Sequence, residues 1–367
     1  MRVTSVELHR VHLPLVTPFR SAHGVETVRD ALLVRVDTPD GDGWGECVAM
    51  RDPTYTSEYV DGAQQVTTGW LAPLLLSAGE LGGAEVAHVL APVKGHPMAK
   101  AALELAVLDA ELRQRQQSLA AFFGAKRERV LVGVAVGITG SVDALVDAVA
   151  AHVAAGYRRV KLKIEPGWDV APVAAVRGTF GDDLMLQVDA NGSYAEVGAE
   201  ALVALDDFGL LLIEQPLDDD DLAGHAKLAT RLRTPICLDE SITSARRAAE
   251  AVAMGACSIV NIKPGRVGGY IEAKRIHDDC LAAGVATWVG GMLETGIGRA
   301  ANLALAGLPG CTLPGDISAS NRYYATDVTP PFVLVDGALA VPTGPGIGVD
   351  VLSDVIDELT VSSQIIS

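Results

Sequence analysis

The first part of the chain alternates apolar and polar residues with a two-residue period. Residues 3–12 and 30–37 alternate or run apolar, and residues 44–48 continue this pattern. The segment TPDGDG (38–43) supplies a turn between the last two runs. Because a strand alternates its side chains between two faces, this pattern predicts a small antiparallel sheet.

A helical pattern follows from Ser57 and is clearest after Pro97. Proline suits the first turn of a helix. The apolar residues behind it recur at spacings of three and four, which place them on one face: Ala101, Leu105, Leu108 and Leu112. We therefore predict an α+β domain over residues 1–125.

From residue 130 onward, short apolar runs alternate with amphipathic helical sequence. The runs are VLVGVAVGI, RVKLKI, LMLQVDA, GLLLIEQP, TPICLDE, CSIVNIKPG and GVATWVGG, with CTLPGD as the candidate eighth. Such βα units produce parallel strands, and eight of them close into a barrel. A doubly wound open sheet is the competing architecture. We favour a barrel over residues 126–320, followed by a C-terminal segment (321–367), because polar residues end five successive strands.

Three of these strand-ending residues are acids on consecutive strands. Asp189, Glu214 and Asp239 follow one another at intervals of 25 residues. Neighbouring strands lie about 4.8 Å apart, so the three carboxylates should crowd within roughly 10 Å. Like charges so close need a compensating cation, and oxygen ligands alone suit Mg²⁺ or Mn²⁺. The competing interpretation is that each acid caps a helix or turn.

Two lysines end strands on opposite sides of the predicted barrel. Lys163 ends the second strand and Lys263 ends the sixth, so a substrate between them would meet one amine on each face. Lys161 precedes Lys163 by two residues and shares the inward face of its strand. The alternative is that these lysines only form salt bridges with the three acids.

Composition narrows the class of protein. The chain has 367 residues, more than one ordinary core accommodates, and its formal charge of −17 argues against nucleic acid as a partner. No run approaches the roughly 18 apolar residues of a membrane span, and the first residues lack the apolar core of a signal peptide. Five cysteines without a C-x-x-C pair favour a reducing compartment. We expect a cytoplasmic protein that binds a small molecule rather than a membrane.

The charged set resembles that of the enolase superfamily, muconate-lactonising-enzyme subgroup. The matching residues are KLK, the three acids and NIKPG. Other segments are similar to the N-succinylamino acid racemase/o-succinylbenzoate synthase family along essentially the whole chain: PFRSAHG, GWGEC, GHPMAKAALE, LKIEPGWDV, CLDESI, NIKPGRVGG and GGMLETGIGRAAN. The resemblance implies an N-terminal α+β capping domain over a (β/α)₇β TIM-like barrel. It also implies a C-terminal tail that returns to the cap, and a homo-oligomer, either a dimer or an octamer.

The resemblance also implies a role for each charged residue. Asp189, Glu214 and Asp239 would bind Mg²⁺, for which Mn²⁺ or another divalent ion could substitute. Lys163 and Lys263 would remove and return a proton α to a carboxylate, through an enediolate that the metal stabilises. Lys161 would contact the carboxylate of the substrate.

Six further residues are expected to form the substrate pocket: Asn191, Phe19, Arg20, Met50, Leu293 and Tyr323. For Phe19, Met50 and Leu293 the alternative is plain core packing. Residues 17–25 mix small and polar residues around one aromatic, which predicts a mobile lid. Arg266, three residues after Lys263, either acts on that lysine or is simply exposed.

The expected function is that of an Mg²⁺-dependent N-succinylamino acid racemase with o-succinylbenzoate synthase activity. A dipeptide epimerase and a muconate cycloisomerase are alternatives within the subgroup. Dipeptide epimerases usually carry a D-x-D motif near the last strands, and the segment GGMLETG lacks it. A non-catalytic barrel is the alternative from another class, but such a protein should have lost at least one of the five charged residues.

Overall fold

An antiparallel sheet forms the first layer of the structure. The computed structural model describes residues 1–21, 24–194 and 200–367. The sheet contains the three predicted strands β1 (Ser5–Ser21), β2 (Gly24–Thr38) and β3 (Gly41–Cys47). After a register shift between Pro14 and Phe19, β1 and β2 pair as far as Ser21 and Gly24. Proline cannot donate to a sheet, which accounts for an irregularity at this point. Most of the predicted lid is therefore a β-hairpin, whereas its residues 22 and 23 lie outside the described residues.

Several helices follow the first sheet. They are α1 (Val60–Val66), α2 (Ala72–Ser77), α3 (Val86–Val89), α4 (Pro97–Gln114) and α5 (Leu119–Phe123), with a π-helical turn at Thr67–Leu71. Of these, α1, α2 and α4 contact the strands of the sheet. Helix α4 lies directly on the backbone of β3. A Cβ atom at Gly45 would lie 2.0 Å from the carbonyl oxygen of Ala102. Glycine in the strand and alanine in the helix permit this close approach.

A parallel sheet forms the barrel. Its strands are β5 (Gly133–Val136), β6 (Arg159–Lys163), β7 (Met185–Asp189), β8 (Ile213–Glu214), β9 (Ile236–Leu238), β10 (Ile259–Ile262) and β11 (Ala286–Val289). They are hydrogen-bonded in chain order from β5 to β11. A short strand β4 (Arg129–Leu131) precedes them.

The predicted eighth segment closes this sheet. Cys311 bridges to Thr287 of β11, and Gly315 bridges to Val132 beside β5, both in parallel orientation. These contacts confirm the barrel and exclude the open sheet. The segment forms isolated bridges rather than a regular strand, as expected where Pro314 lacks an N–H donor.

Helices surround the barrel and connect its strands. They are α6 (Val142–Ala154), α7 (Val170–Phe180), α8 (Glu200–Ala204), α9 (Leu222–Ala229), α10 (Ala245–Ala253), α11 (Pro264–Val267), α12 (Tyr270–Ala282) and α13 (Gly296–Ala306). Side-chain oxygens of Ser141, Ser244 and Thr295 accept backbone N–H groups in the first turns of α6, α10 and α13. Such caps explain where these helices begin. None of the helices in the described residues is long and apolar enough to cross a membrane.

The end of the chain runs back to the first sheet. Strand β12 (Ala338–Ala340) pairs with β4, helix α14 (Ser353–Leu359) follows, and β13 (Thr360–Ile366) pairs antiparallel with β1. The sheet order is therefore β13-β1-β2-β3. The domain boundaries after residues 125 and 320 stay predictions.

Two buried carboxylates of the cap accept hydrogen bonds at the starts of barrel helices. Glu104 on α4 accepts from the backbone N–H groups of Tyr270 and Ile271, at 2.5 and 3.0 Å. Glu46 at the end of β3 accepts from the backbone N–H groups of Thr295 and Gly298, both at 3.0 Å. Burial raises the pKa of each carboxyl to about 7, although the hydrogen bonds oppose the shift. These contacts hold the cap over the carboxyl ends of the barrel strands.

Candidate active site

A cavity lies between the cap and the carboxyl ends of the barrel strands. The cap contributes Phe19, Gly24, Glu26, Met50, Thr54 and Tyr55. The barrel and the loops that follow its strands contribute Ala135, Lys161, Lys163, Asn191, Lys263, Gly291, Met292, Leu293, Asp316 and Tyr323. Most of the site residues predicted from the sequence therefore lie in one cavity. It is at the end of the barrel where barrel enzymes carry their catalytic groups.

Lys163 reaches the cavity from the end of β6. Its Cα atom is in register with that of Asp189 on β7. The ammonium nitrogen lies 2.7 Å from Asp189 Oδ2 and 2.6 Å from Asn191 Oδ1. Asn191 has a positive φ of 44°, a conformation that asparagine tolerates better than most residues. These two partners orient Lys163 without removing it from the cavity wall.

Lys263 follows β10, four strands away from β6 in the sheet order. Its ammonium nitrogen lies 2.7 Å from Asp239 Oδ2 and 3.0 Å from the hydroxyl oxygen of Tyr55. Burial lowers the pKa of Lys263, but Tyr55 and Glu240 outweigh this effect and raise the pKa to about 12. In an eight-segment barrel this spacing puts Lys163 and Lys263 on opposite sides of the cavity.

The three predicted metal ligands are fully buried, with at most 1% of each residue exposed. Asp189 and Glu214 are in register on neighbouring strands, and Asp239 immediately follows β9. Burial raises the pKa of Glu214, and the charge of Asp189 adds to this effect. For Asp189 burial opposes the shift, but Lys163 and Lys161 lower its pKa below the usual range.

Cations lie directly against these acids. Lys161 Nζ is 3.0 Å from Asp189 Oδ2 and 3.1 Å from Glu214 Oε2. Asp239 is paired with Lys263 and also with Arg266. Accordingly, within residues 1–21, 24–194 and 200–367, no group of three or more acidic, histidine or cysteine side chains is arranged to hold a metal ion.

The chemistry of the donor set nevertheless suits a hard divalent cation. The acids supply only carboxylate oxygens, they lie on consecutive strands, and burial together with the neighbouring charge of Asp189 raises the pKa of Glu214. Lys161 contacts both Asp189 and Glu214, so a metal ion held by these acids would compete with the ammonium for their oxygens.

All four apolar and aromatic residues predicted for the pocket line the cavity: Phe19, Met50, Leu293 and Tyr323. Leu293 has a φ of +57°, which is a strained conformation for a bulky residue. Its carbonyl oxygen accepts a hydrogen bond from the Tyr324 hydroxyl at 2.5 Å. Leu293 therefore lines the cavity while its side chain also packs in the hydrophobic core.

Arg20, which the sequence predicts for the pocket, lies outside the cavity in the structure. It is exposed and is not among the residues that line the cavity. Because β1 continues through this position, adjacent side chains point to opposite sides of the strand, and Phe19 takes the inward side.

Of the two alternatives left open for Arg266, simple exposure is excluded. The residue is 2% exposed, and its guanidinium group pairs with Asp239. It also donates to the carbonyl oxygens of Ile242 and Asn261, both at 2.7 Å. Arg266 is therefore part of the buried charge network around Lys263.

Among the cavity-lining residues that sequence reasoning did not name, Asp316 and Tyr55 contact the predicted lysines Lys161 and Lys263. Asp316 closes the eighth barrel segment, so the rule that a polar residue ends each strand could have found it. Tyr55 lies in an irregular segment of the cap between β3 and α1. No periodic pattern marks such a position, because only the folded structure brings its hydroxyl to Lys263.

Comparisons with known proteins agree with this geometry. Residues 144–355 match the family model described as enolase C-terminal domain-like. The chain is 59% identical over 360 residues to an N-succinylamino acid racemase from an Amycolatopsis species, with 98% of each chain covered. It is 45% identical to an o-succinylbenzoate synthase from Geobacillus kaustophilus, with 96% of this chain and 94% of the relative covered.

Solved structures share the whole fold. An enolase-superfamily member from Listeria innocua superposes with a TM-score of 0.95 at 39% identity, covering 100% of this chain and 99% of the other. A dipeptide epimerase from Cytophaga hutchinsonii, solved with Mg and the dipeptide D-Ala-L-Val, superposes with a TM-score of 0.89 at 25% identity, with 100% of both chains covered. The chain therefore belongs to the enolase superfamily, within the group of enzymes named N-succinylamino acid racemases and o-succinylbenzoate synthases.

Proposed function

We propose that this chain is an Mg²⁺-dependent N-succinylamino acid racemase with o-succinylbenzoate synthase activity. The observation that carries the proposal is the pair Lys163 and Lys263, which lie on opposite sides of one cavity and are each oriented by a carboxylate. Racemisation needs a base on one face of a carbon atom and an acid on the other, and this pair supplies both. The relatives at 59% and 45% identity are named N-succinylamino acid racemase and o-succinylbenzoate synthase, which supports both proposed activities.

The residues of the chain divide the reaction between them. Lys161 holds the carboxylate of the substrate, where negative charge develops as the α-proton leaves. Either Lys163 or Lys263 takes that proton, and the lysine on the other face returns a proton to the same carbon. If the substrate instead carries a β-hydroxyl, loss of this group after proton removal gives an alkene, as in o-succinylbenzoate synthesis.

Asp189, Glu214 and Asp239 would hold Mg²⁺ in this proposal, with Mn²⁺ or another divalent ion as a substitute. When bound, the ion supplies positive charge next to the carboxylate oxygens of the substrate. The dipeptide epimerase structure solved with Mg supports this choice of metal. We further propose a cytoplasmic homo-oligomer, a dimer or an octamer, whose substrate is a small carboxylate. The burial of all five cysteines as free thiols supports the reducing compartment.

The assignment of the two lysines is tested by separate alanine variants. In D₂O, Lys163→Ala and Lys263→Ala should each lose racemisation of N-succinyl amino acids. Each should still exchange the α-proton of one enantiomer slowly, and the two variants should act on opposite enantiomers. NMR measures the deuterium incorporation directly. A single variant that exchanges both enantiomers, or that racemises at the wild-type rate, would contradict the two-base arrangement.

A further inference from the structure

Asp316 lies where the eighth segment closes the barrel. Its backbone N–H donates to the carbonyl oxygen of Val289 at 3.0 Å, and the carbonyl oxygen of Gly315 accepts from Gly133 at 2.8 Å. The residue is only 7% exposed, yet it lines the cavity. Contacts to strands on both sides of the closure therefore fix the position of this carboxylate.

The two oxygens of Asp316 pair with two different cations. Oδ1 lies 2.5 Å from Arg159 Nη1, and Oδ2 lies 2.5 Å from Lys161 Nζ. One carboxylate between two cations leaves a net positive charge on the three side chains. Because Lys161 lines the cavity whereas Arg159 is completely buried, Asp316 links a buried cation to one at the cavity wall.

Arg159 is itself held in place. Its Nη2 atom donates to the carbonyl oxygen of Pro314 at 2.8 Å, and its guanidinium carbon lies 5.4 Å from the ring centre of Trp288. A Cβ atom at position 133 would lie 2.2 Å from the guanidinium carbon, so glycine there leaves room for the side chain. Arg159 is therefore a rigid support for Asp316.

Lys161 has two other acidic partners, Asp189 and Glu214. In the proposed function these two carboxylates would hold a metal ion, which would compete with the ammonium of Lys161 for their oxygens. Asp316 carries no such assignment and stays available as a partner. Asp316 can thus hold the Lys161 ammonium near the cavity both with and without a bound metal ion.

We propose that Asp316 is a positioning residue that holds the Lys161 ammonium at the cavity wall, while Arg159 fixes Asp316. The proposal rests on the proposed function, in which Lys161 contacts the carboxylate of the substrate. It assigns no proton transfer to Asp316. The effect of its removal should therefore appear first in substrate binding.

The first test is Asp316→Asn, which keeps the size of the side chain and one acceptor oxygen but removes the charge. Hydrogen bonds to charged groups contribute about 1.5–3 kcal/mol, so we expect KM for racemisation of N-succinyl amino acids to rise about tenfold or more. Asp182→Asn is the matched control, because the Asp182 side chain is fully exposed beside Arg177 and should leave KM unchanged. A folded Asp316→Asn variant with wild-type KM would overturn the proposal.

Arg159→Lys is the second variant. It tests the positioning role of Asp316 if Asp316→Asn does not fold. Lysine keeps the positive charge but cannot bond Asp316 and Pro314 with the two ends of a guanidinium fork. KM should again rise, but by a smaller factor than in Asp316→Asn. An unchanged KM in folded Arg159→Lys would count against the support role of Arg159 and against the proposal.

A crystal structure of Asp316→Asn gives a readout that does not depend on activity. We expect Lys161 Nζ to move by about 1 Å or more away from residue 316, a displacement large enough to affect catalysis. An ammonium that stays in place would overturn the positioning role. If the wild-type enzyme racemises no N-succinyl amino acid, the proposed function fails, whereas the position of Lys161 still decides the role of Asp316.

Discussion

Glu104 joins the cap to the barrel, and its replacement should change how stability depends on pH. The residue is 2% exposed and accepts two backbone hydrogen bonds at the start of α12. Burial raises its pKa from 4.5 to about 7, although these hydrogen bonds oppose the shift. The folded chain therefore holds a proton on this carboxyl over a pH range in which the unfolded chain has lost it.

The sign and size of the effect follow from this difference in proton binding. Stability from the Glu104 carboxyl is fully present below pH 4.5 and is lost as the pH rises to about 7. The difference between pKa values of 4.5 and about 7 corresponds to about 3 kcal/mol. For 367 residues that unfold as one unit, this amounts to about 4 °C in Tm.

The assay compares thermal unfolding of the wild type and Glu104→Gln by circular dichroism between pH 4.5 and 8. Glutamine keeps the shape and one acceptor oxygen but does not titrate. The stability of the wild type relative to Glu104→Gln should therefore fall by up to about 3 kcal/mol as the pH rises to 7. Glu358→Gln, which removes an exposed carboxylate of α14, controls for the loss of one negative charge. A wild-type advantage that stays constant or grows with pH would refute the reasoning.

Three further outcomes are expected. Chelation of divalent cations should abolish racemisation and Mg²⁺ or Mn²⁺ should restore it, so full turnover by verified metal-free protein would contradict the metal role of Asp189, Glu214 and Asp239. A tight ligand should slow tryptic cleavage after Arg20 in the hairpin that carries Phe19, and equal rates with and without ligand would count against a lid. Gly45→Ala should cost about 1–3 kcal/mol in denaturant unfolding because its Cβ atom would meet Ala102, whereas Gly69→Ala, where a Cβ atom has open space, should cost less.

The barrel could be predicted because its period is long and regular. Each βα unit repeats a buried run and ends it with a polar residue, so Lys163 and Lys263 are recognisable before any contact is known. Parallel pairing then determines their surroundings, as the register of Lys163 with Asp189 illustrates. The same rule applies to Asp316, although the eighth segment is too irregular to read as a strand.

The cap contributes to the site through tertiary contacts that have no period. Tyr55 reaches Lys263 across 208 positions of the chain, and Glu104 reaches Tyr270 across 166. The inward direction of Phe19 depends on how far β1 extends, which is why Arg20 could be mistaken for a pocket residue. The hydrophobic and polar pattern of a segment does not predict such contacts, because the sequence around each residue gives no indication of its distant partner.

The residues proposed for the reaction and those that would select the substrate consequently lie on different parts of the fold. These parts are held in place by different contacts. Lys163 lies at the end of a strand that is hydrogen-bonded to a neighbour on each side. Phe19 and Glu26 line the same cavity from a hairpin that continues beyond a register shift. A substitution in the hairpin can therefore alter the fit of a side chain or acyl group while the two lysines stay in register. In the proposed function, racemisation and o-succinylbenzoate synthesis both begin with removal of an α-proton, so one set of barrel residues would be sufficient for both reactions.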